Sequence, residues 1–175
     1  MVIKPEELTK IPEFSEKTET ELKHMQDAIE QLIRVYTNNN FQNRYVRFYA
    51  TSDGNRLYGV SEFLSVGDTI QISQSGVNDG LYYITDIGED FIEVDKKLFS
   101  ITSNLVTKVE YPDDIKFGVI NIMKWEVENR KKVGIKSETL SRHSTTYFDL
   151  DASNQVMGYP VSLLGFLNSY MKARF

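Results

Sequence analysis

The fold is decided by a stretch in the middle of the chain: Val66-Gly-Asp-Thr-Ile-Gln-Ile-Ser73, Asn78-Asp79-Gly80, Leu81-Tyr-Tyr-Ile-Thr-Asp-Ile87, Gly88-Glu-Asp90 and Phe91-Ile-Glu-Val94. Apolar and polar residues alternate through the core of 66–73, and β-branched and aromatic residues dominate 81–87 and 91–94. The Gly and Asp clusters between them are turn chemistry, because Gly adopts positive φ and Asp bonds its own backbone. Working outward, Arg44-Tyr-Val-Arg-Phe-Tyr-Ala50 has strand composition, Asp53-Gly54 marks a turn, and Leu105-Val-Thr-Lys-Val109 closes the series. A meander of about five short strands over residues 44–110 predicts a small antiparallel barrel or sheet that manages its edges by curling.

The flanks carry a different period. Thr18 and Glu21 form a capping box in which each side chain satisfies the other's backbone amide. Behind it Leu22, Met25, Ile29, Leu32 and Tyr36, widened by Ala28 and Val35, predict an amphipathic helix ending near Asn38-Asn39-Asn40. Tyr111-Pro112-Asp113-Asp114 opens a second helix, since two carboxylates favour its positive end. Its apolar stripe is Ile115, Val119, Ile122, Met123 and Val127, its basic end Arg130-Lys131-Lys132, and its terminator Gly134. Ile120 and Trp125 fall off that stripe, and the simplest reading of Trp125 is a buried side chain. Gly158-Tyr159-Pro160 sets up a third helix with Val161, Leu164, Leu167 and Tyr170/Met171 on its apolar face.

The expected fold class is therefore α+β: a small antiparallel helical bundle of three main helices with an inserted small antiparallel β-barrel or sheet. Residues 1–17 read as an N-terminal arm, 18–43 plus 111–175 as a helical frame, and 44–110 as the inserted β domain. The helices over 18–37 and 113–132 are expected to pair antiparallel, so that an insertion between their adjacent ends costs little.

The whole chain has 175 residues, 41% of them apolar, no Cys and a formal charge of −5. That apolar content argues against a wholly disordered chain, and the lack of Cys excludes a disulfide scaffold, a thiolate metal site and a cysteine nucleophile. No apolar run approaches the ~18–20 residues needed to cross a bilayer, and the N-terminus lacks the basic start and apolar middle of a secretory signal. A non-membrane protein of the cytoplasm is expected. Charge is uneven: four basic and eight acidic residues in 1–30, nine and fourteen in 31–129, seven and three in 130–175. An acidic body and a basic tail can attract within a chain or between copies.

Candidate chemistry is sparse. His24 lies on the polar side of the first helix, as a solvated helix histidine does. His143 and Ser144 are neighbours on an extended segment and so point to opposite faces, which forbids a base–nucleophile pair. Asp149, Asp151 and Asn154 lack the glycine and distal glutamate of a calcium loop. No phosphate-cradling glycine loop occurs; neither an enzyme nor a cofactor or metal is expected. Arg44, Tyr45, Arg47, Phe48, Tyr49, Arg56 and Tyr58 interleave basic and aromatic residues, so Arg44, Arg47 and Tyr49 are candidate contacts for single-stranded nucleic acid on a small barrel module. The favoured reading is plainer: alternation splits the aromatics between faces, with some in the core and the arginines outside.

The C-terminal third carries an ordered series: Pro112-Asp-Asp-Ile115 opening a helix, Lys124-Trp-Glu126 within it, Lys136-Ser137-Glu138-Thr139-Leu140 after it, Ser144-Thr-Thr-Tyr147, Gly158-Tyr159-Pro160, and a terminal Tyr170-Met-Lys-Ala-Arg174. In this series the chain resembles the tailed-bacteriophage head–tail connector (adaptor) family, and the helix over 18–37 fits the same frame. The β block departs from the compact all-helical members and looks like the insertion of some connectors of phages of Gram-positive hosts. The resemblance implies a structural virion protein without catalysis, assembled in the host cytoplasm and placed at the head–tail interface. Its partners would be copies of itself in a dodecameric ring (a free monomer before assembly is compatible), the portal protein, a stopper, head-completion or tail protein, and double-stranded DNA passing without sequence recognition. It implies portal contact through Pro160, Leu164, Leu167, Tyr170, Lys172, Arg174 and Phe175. It also implies a link between subunits through Lys136, Ser137, Glu138, Leu140, His143 and Tyr147.

Overall fold

A computed structural model describes residues 1–59, 61–130, 137–140, 143–146 and 154–174, with 137–140 and 143–146 described by their backbone. The chain is α+β and forms two compact units: Met1–Lys4 with Asn40–Tyr111, and Pro5–Asn39 with Pro112–Phe175.

The first unit is a closed antiparallel barrel of six strands, in the order β1-β2-β5-β4-β3-β6. They are β1 (Gln42–Asp53), β2 (Arg56–Tyr58), β3 (Thr69–Ser73), β4 (Gly80–Ile87), β5 (Phe91–Val94) and β6 (Ile101–Val109). The expected five-strand meander is corrected on two points. A sixth strand, β2, is only three residues long, too short for alternation to register in sequence. The path is also not a meander: β3, β4 and β5 follow one another, but β6 returns to lie beside β3, which is a Greek key. Closure follows when β6 also pairs with β1 and β2 with β5, leaving no open edge. Inside lie Val46, Ala50, Leu57, Ile70, Ile72, Ile84, Ile92, Val94 and Val106, with Phe48 and Ile87 packed against them.

Polar side chains close both ends of this core. Where β6 ends, the Lys108 ammonium pairs with Asp68 at 2.8 Å and donates to the Phe63 carbonyl at 3.1 Å, while Asp68 accepts from the Ser65 amide at 2.9 Å. Where β6 begins, Ser52, Asn78 and Asn104, all fully buried, form a lock. Asn78 Nδ2 faces Ser52 Oγ at 3.1 Å, Asn104 Oδ1 at 3.1 Å and the Phe99 carbonyl at 2.9 Å, and Asn78 Oδ1 accepts from the Phe99 amide at 2.8 Å. Asn104 Nδ2 donates to the Ala50 carbonyl and Ser52 Oγ, both at 3.0 Å. The Tyr82 hydroxyl closes the lock by donating to the Asn78 carbonyl at 2.9 Å. Burial pushes the Tyr82 phenol above its ordinary value, with Asp95 and Asp79 adding to the shift. The terminal residues also join the barrel: Thr69 Oγ1 donates to the Met1 carbonyl at 3.1 Å and accepts from the Met1 amino group, and Val2 and Ile3 are buried.

The second unit contains α1 (Pro5–Leu8), a 3₁₀ turn (Pro12–Phe14), α2 (Glu19–Thr37), α3 (Asp113–Asn129), α4 (Val161–Leu164) and a 3₁₀ segment (Gly165–Tyr170). Strands β7 (Ser137–Leu140) and β8 (His143–Thr146) form one two-stranded sheet, and β9 (Gln155–Val156) and β10 (Tyr159–Pro160) another. The capping box at Thr18 is formed: the Glu21 amide donates to Thr18 Oγ1 at 3.2 Å and the Thr18 amide to Glu21 Oε2 at 2.9 Å. The Thr18 amide, together with its hydroxyl, which donates to Glu21 Oε2 at 3.1 Å, holds the Glu21 carboxyl below its usual value, with Lys17 adding.

The buried face of α2 is Leu22, Gln26, Ile29, Glu30, Ile33 and Thr37, which corrects the expected stripe. Polar Gln26, Glu30 and Thr37 occupy core positions, so a stripe drawn through apolar residues alone is rotated. Val35 is exposed, as is Ala28, while Met25, Leu32 and Tyr36 are half-buried. On α3 the buried residues are Ile115, Gly118, Val119, Ile122 and Met123. The helix ends at Asn129, and the expected terminator Gly134 lies outside the described residues. Trp125 is half-buried. The expected third helix is one α-turn followed by 3₁₀ geometry. Gly165, Asn168 and Ser169 within it are poor helix formers, which explains the tightening. Gly118 is where that segment meets α3: a Cβ there would collide with the Phe166 ring.

Candidate functional site

On β1, Val46 and Ala50 point into the core, so Arg47, Tyr49 and Thr51 point out. The register places Arg47 opposite Thr107 and Tyr49 opposite Leu105 on β6, and Thr51 opposite Tyr58 on β2. Tyr49 is 64% exposed and Tyr58 41%. Between Asn43 and Arg47 the register of β1 shifts against β6, a bulge that lifts Arg44 and Tyr45 off the ladder. Tyr45 is 99% exposed, and its amide donates to Asn43 Oδ1 at 3.1 Å, which fixes the bulge. Strand alternation splits this aromatic set as expected, with Phe48 against the core and the arginines outside. Tyr45, Arg47 and Tyr49 lie on the outer face and Val46 and Phe48 on the inner one, as alternation requires, while the bulge turns Arg44 outward as well and β2 adds Tyr58.

Arg47 is held in place by neutral groups. Its Nε donates to Thr107 Oγ1 at 2.9 Å and its Nη2 to Gln42 Oε1 at 3.3 Å, and Gln42 Nε2 donates to Gln71 Oε1 at 3.2 Å. Among the described residues no carboxylate pairs with it. By contrast Arg56 pairs with Glu93 at 2.7 Å and lies 4.3 Å from the Phe91 ring centroid.

The C-terminal segment lies against α2. The Lys172 amide donates to the Thr37 carbonyl at 2.8 Å, Arg174 Nη2 to the Val35 carbonyl at 3.0 Å, and Asn38 Nδ2 to the Ala173 carbonyl at 2.7 Å. The first satisfies a carbonyl that the end of α2 leaves without a partner, and the second adds to the bond that the Val35 carbonyl already accepts from the Asn38 amide at 3.4 Å. The Tyr170 hydroxyl donates to both oxygens of Asp114 at 2.7 Å, and that bond raises its pKa. Of the residues implicated in portal contact, Leu164 and Leu167 are fully buried, Pro160 and Tyr170 are half-buried, and Lys172 and Arg174 are exposed. Phe175 lies outside the described residues.

At the end of α3, Arg130 forms a two-pronged pair with Glu126 at 2.7 and 2.6 Å. Its guanidinium carbon lies 5.5 Å from the Trp125 ring centroid and 5.1 Å from that of Tyr159, and the two rings meet edge to face at 5.4 Å. Burial foremost, then Glu126, raises the Tyr159 phenol against the opposing pull of Arg130. This clamp ties the β9–β10 hairpin to α3. Of its members the sequence reading singled out Trp125, Glu126 and Tyr159 but missed the part of Arg130, which looked like a helix-end charge.

Ser137, Glu138, Leu140 and His143 lie in the β7–β8 hairpin, with Ser137 opposite Thr146 and Leu140 opposite His143. Lys136 and Tyr147 lie outside the described residues, as do Asp149 and Asp151 of the weak calcium pattern. His24 is exposed on α2. Among the described residues, no three His, Asp or Glu side chains gather as metal ligands do, and no helix is long and apolar enough to cross a membrane.

No known family profile matches the sequence, and no curated protein is significantly similar to it.

Proposed function

We propose that the chain is a structural virion protein, a head–tail connector or adaptor subunit that binds a phage portal in a dodecameric ring, extends its DNA channel and offers a platform to a stopper or tail-completion protein. The reading is non-catalytic and needs no cofactor. One observation carries it: motifs far apart in the resembling series meet in space, Trp125 of Lys124-Trp-Glu126 packing on Tyr159 of Gly158-Tyr159-Pro160 under Arg130.

Two further features support it. The β7–β8 hairpin pairs with no third strand among the described residues, and an isolated two-stranded hairpin is marginal in water, so a neighbouring subunit would stabilise it. The basic C-terminal third and acidic front suit a heterologous contact that repeats and closes. On this reading the helical unit is the connector frame of three main helices, its third shortened, and the barrel is carried as an insertion. The test is co-expression with the portal protein of the same phage, followed by native mass spectrometry and electron microscopy. A ring stacked on the portal is expected, including from a subunit that is monomeric when free. Neither ring nor portal binding would remove the proposal.

A further inference from the structure

The barrel has an outward feature that ring building does not use. Between the Asn43–Glu110 contact at one end of β1 and Asp53 at the other, the outward positions of β1 and those opposite on β6 and β2 carry no carboxylate. This holds on a unit in which Asp and Glu outnumber Lys and Arg, ten to seven. Within that window Arg44 and Arg47 are exposed cations without an acidic partner among the described residues, and Tyr45, Tyr49 and Tyr58 are exposed.

We infer that this face of the barrel, Arg44 to Tyr49 with Tyr58 beside it, binds a single-stranded nucleic acid by stacking bases on the tyrosines and placing phosphates on the two arginines. Aromatic and cation alternate along one extended strand, and Arg47 and Tyr49 stand about 6.7 Å apart as second neighbours on one side. A nucleic-acid strand presents the same alternation of flat base and anionic phosphate, and every base offers a π-face, so the recognition is indifferent to sequence. Arg47 is set in advance by Thr107 and Gln42, so its guanidinium loses little freedom on binding. Tyr and Arg are also the residues that protein interfaces favour, so an acidic protein segment is the occupant that the test has to separate from a nucleic acid; Leu105, the apolar residue of this face, is buried and offers neither partner an apolar centre. What remains open is aromatic rings and charge.

Two phosphates neutralised on a single strand give a slope of log K on log salt of about −1.4. Binding should therefore weaken about sevenfold between 50 and 200 mM salt. The experiment uses the full chain and a fluorescein-labelled oligothymidylate of about a dozen nucleotides, read by anisotropy, with a duplex of equal length alongside. Binding of the single strand in preference to the duplex is expected. Y45A/Y49A should weaken it tenfold or more at unchanged salt slope, and R44A/R47A should bring the slope close to zero. All four side chains are exposed, and unchanged circular dichroism and melting would show that both variants fold. Three results overturn the inference: no binding at 20 mM salt up to 100 µM protein, binding that both variants leave intact, or displacement of the oligonucleotide by polyglutamate at equal charge, which would assign the face to an acidic protein segment. Failure here leaves portal binding untouched, because the inference does not rest on the ring.

Discussion

Asn78 is the position where one substitution should cost most for its size. In Asn78→Ala the Asn104 Oδ1 and the Phe99 amide lose the partners they have at 3.1 and 2.8 Å. The Phe99 carbonyl keeps Ser52 Oγ at 2.7 Å, and Ser52 Oγ keeps Asn104 Nδ2 at 3.0 Å, so neither is orphaned. An orphaned buried polar group costs about 1–3 kcal/mol. Asn104 is fully buried and belongs in the upper half of that range; the Phe99 amide is only part-buried and belongs near the bottom. Adding the space left by the amide, the barrel should lose about 3 kcal/mol, a large share of the ~5–15 kcal/mol by which domains are stable. Urea unfolding followed by tyrosine fluorescence and near-ultraviolet circular dichroism measures this, with the midpoint falling and the slope unchanged. The double-mutant cycle with Asn104→Ala should show the second change costing clearly less in the Asn78→Ala background, since the two share a bond. A loss under about 1 kcal/mol, or strict additivity, would refute the claim that the three side chains act as one lock.

Three other outcomes follow from the helical unit. Thr18→Ala removes the capping box and should destabilise that unit by about 1 kcal/mol, read as a lower urea midpoint, whereas Thr20→Ala should not. Gly118→Val should cost about 1–3 kcal/mol because the new side chain meets the Phe166 ring, and Phe166→Ala in the same chain should recover part of it. Acid should weaken the unit. Lys124 chiefly holds Glu13 below its ordinary 4.5, Thr18 chiefly does so for Glu21, and Lys116 holds Asp113 below its ordinary 3.8. Carboxyls lowered in the folded state contribute fully above their ordinary values and lose that contribution as pH falls through the lowered ones. The melting temperature should therefore drop as pH falls below about 4.5. Lys124→Met should flatten the drop, and an unaltered acid limb in that variant would show that the Lys124–Glu13 pair contributes nothing.

The barrel was legible because its turns were. Asp53-Gly54, Asn78-Asp79-Gly80 and Gly88-Glu-Asp90 separate runs of strand composition, and turn chemistry is local. Strand order was not, since pairing β6 with both β1 and β3 depends on contacts far apart in sequence. The buried face of α2 was not legible because Gln26, Glu30 and Thr37 are core residues and an apolar stripe passes them over; Thr37 meets its own polarity within the helix, where its Oγ1 donates to the Ile33 carbonyl at 2.7 Å. Asn78 read as a loop residue and is a structural centre, since its turn directs an amide into the barrel rather than into water. On the barrel face alternation alone puts Tyr45, Arg47 and Tyr49 on one side; the outward position of Arg44 was not legible, because a bulge leaves no mark in a hydropathy pattern.

The strands that open and close the barrel run side by side: Gln42 stands opposite Val109, the Glu110 amide donates to the Phe41 carbonyl at 2.9 Å, and the Phe41 and Tyr111 rings are 4.8 Å apart. Such a doorway lets residues 42–109 leave and rejoin the rest of the chain at neighbouring points, as a removable cassette would. The seam is not wholly clean. Residues Met1–Lys4 belong to the barrel although the chain passes through all of Pro5–Asn39 before returning to it. An excision drawn only at Phe41 and Tyr111 would strand Val2 and Ile3 in water, so a working exchange has to carry the first four residues along or replace them with polar ones.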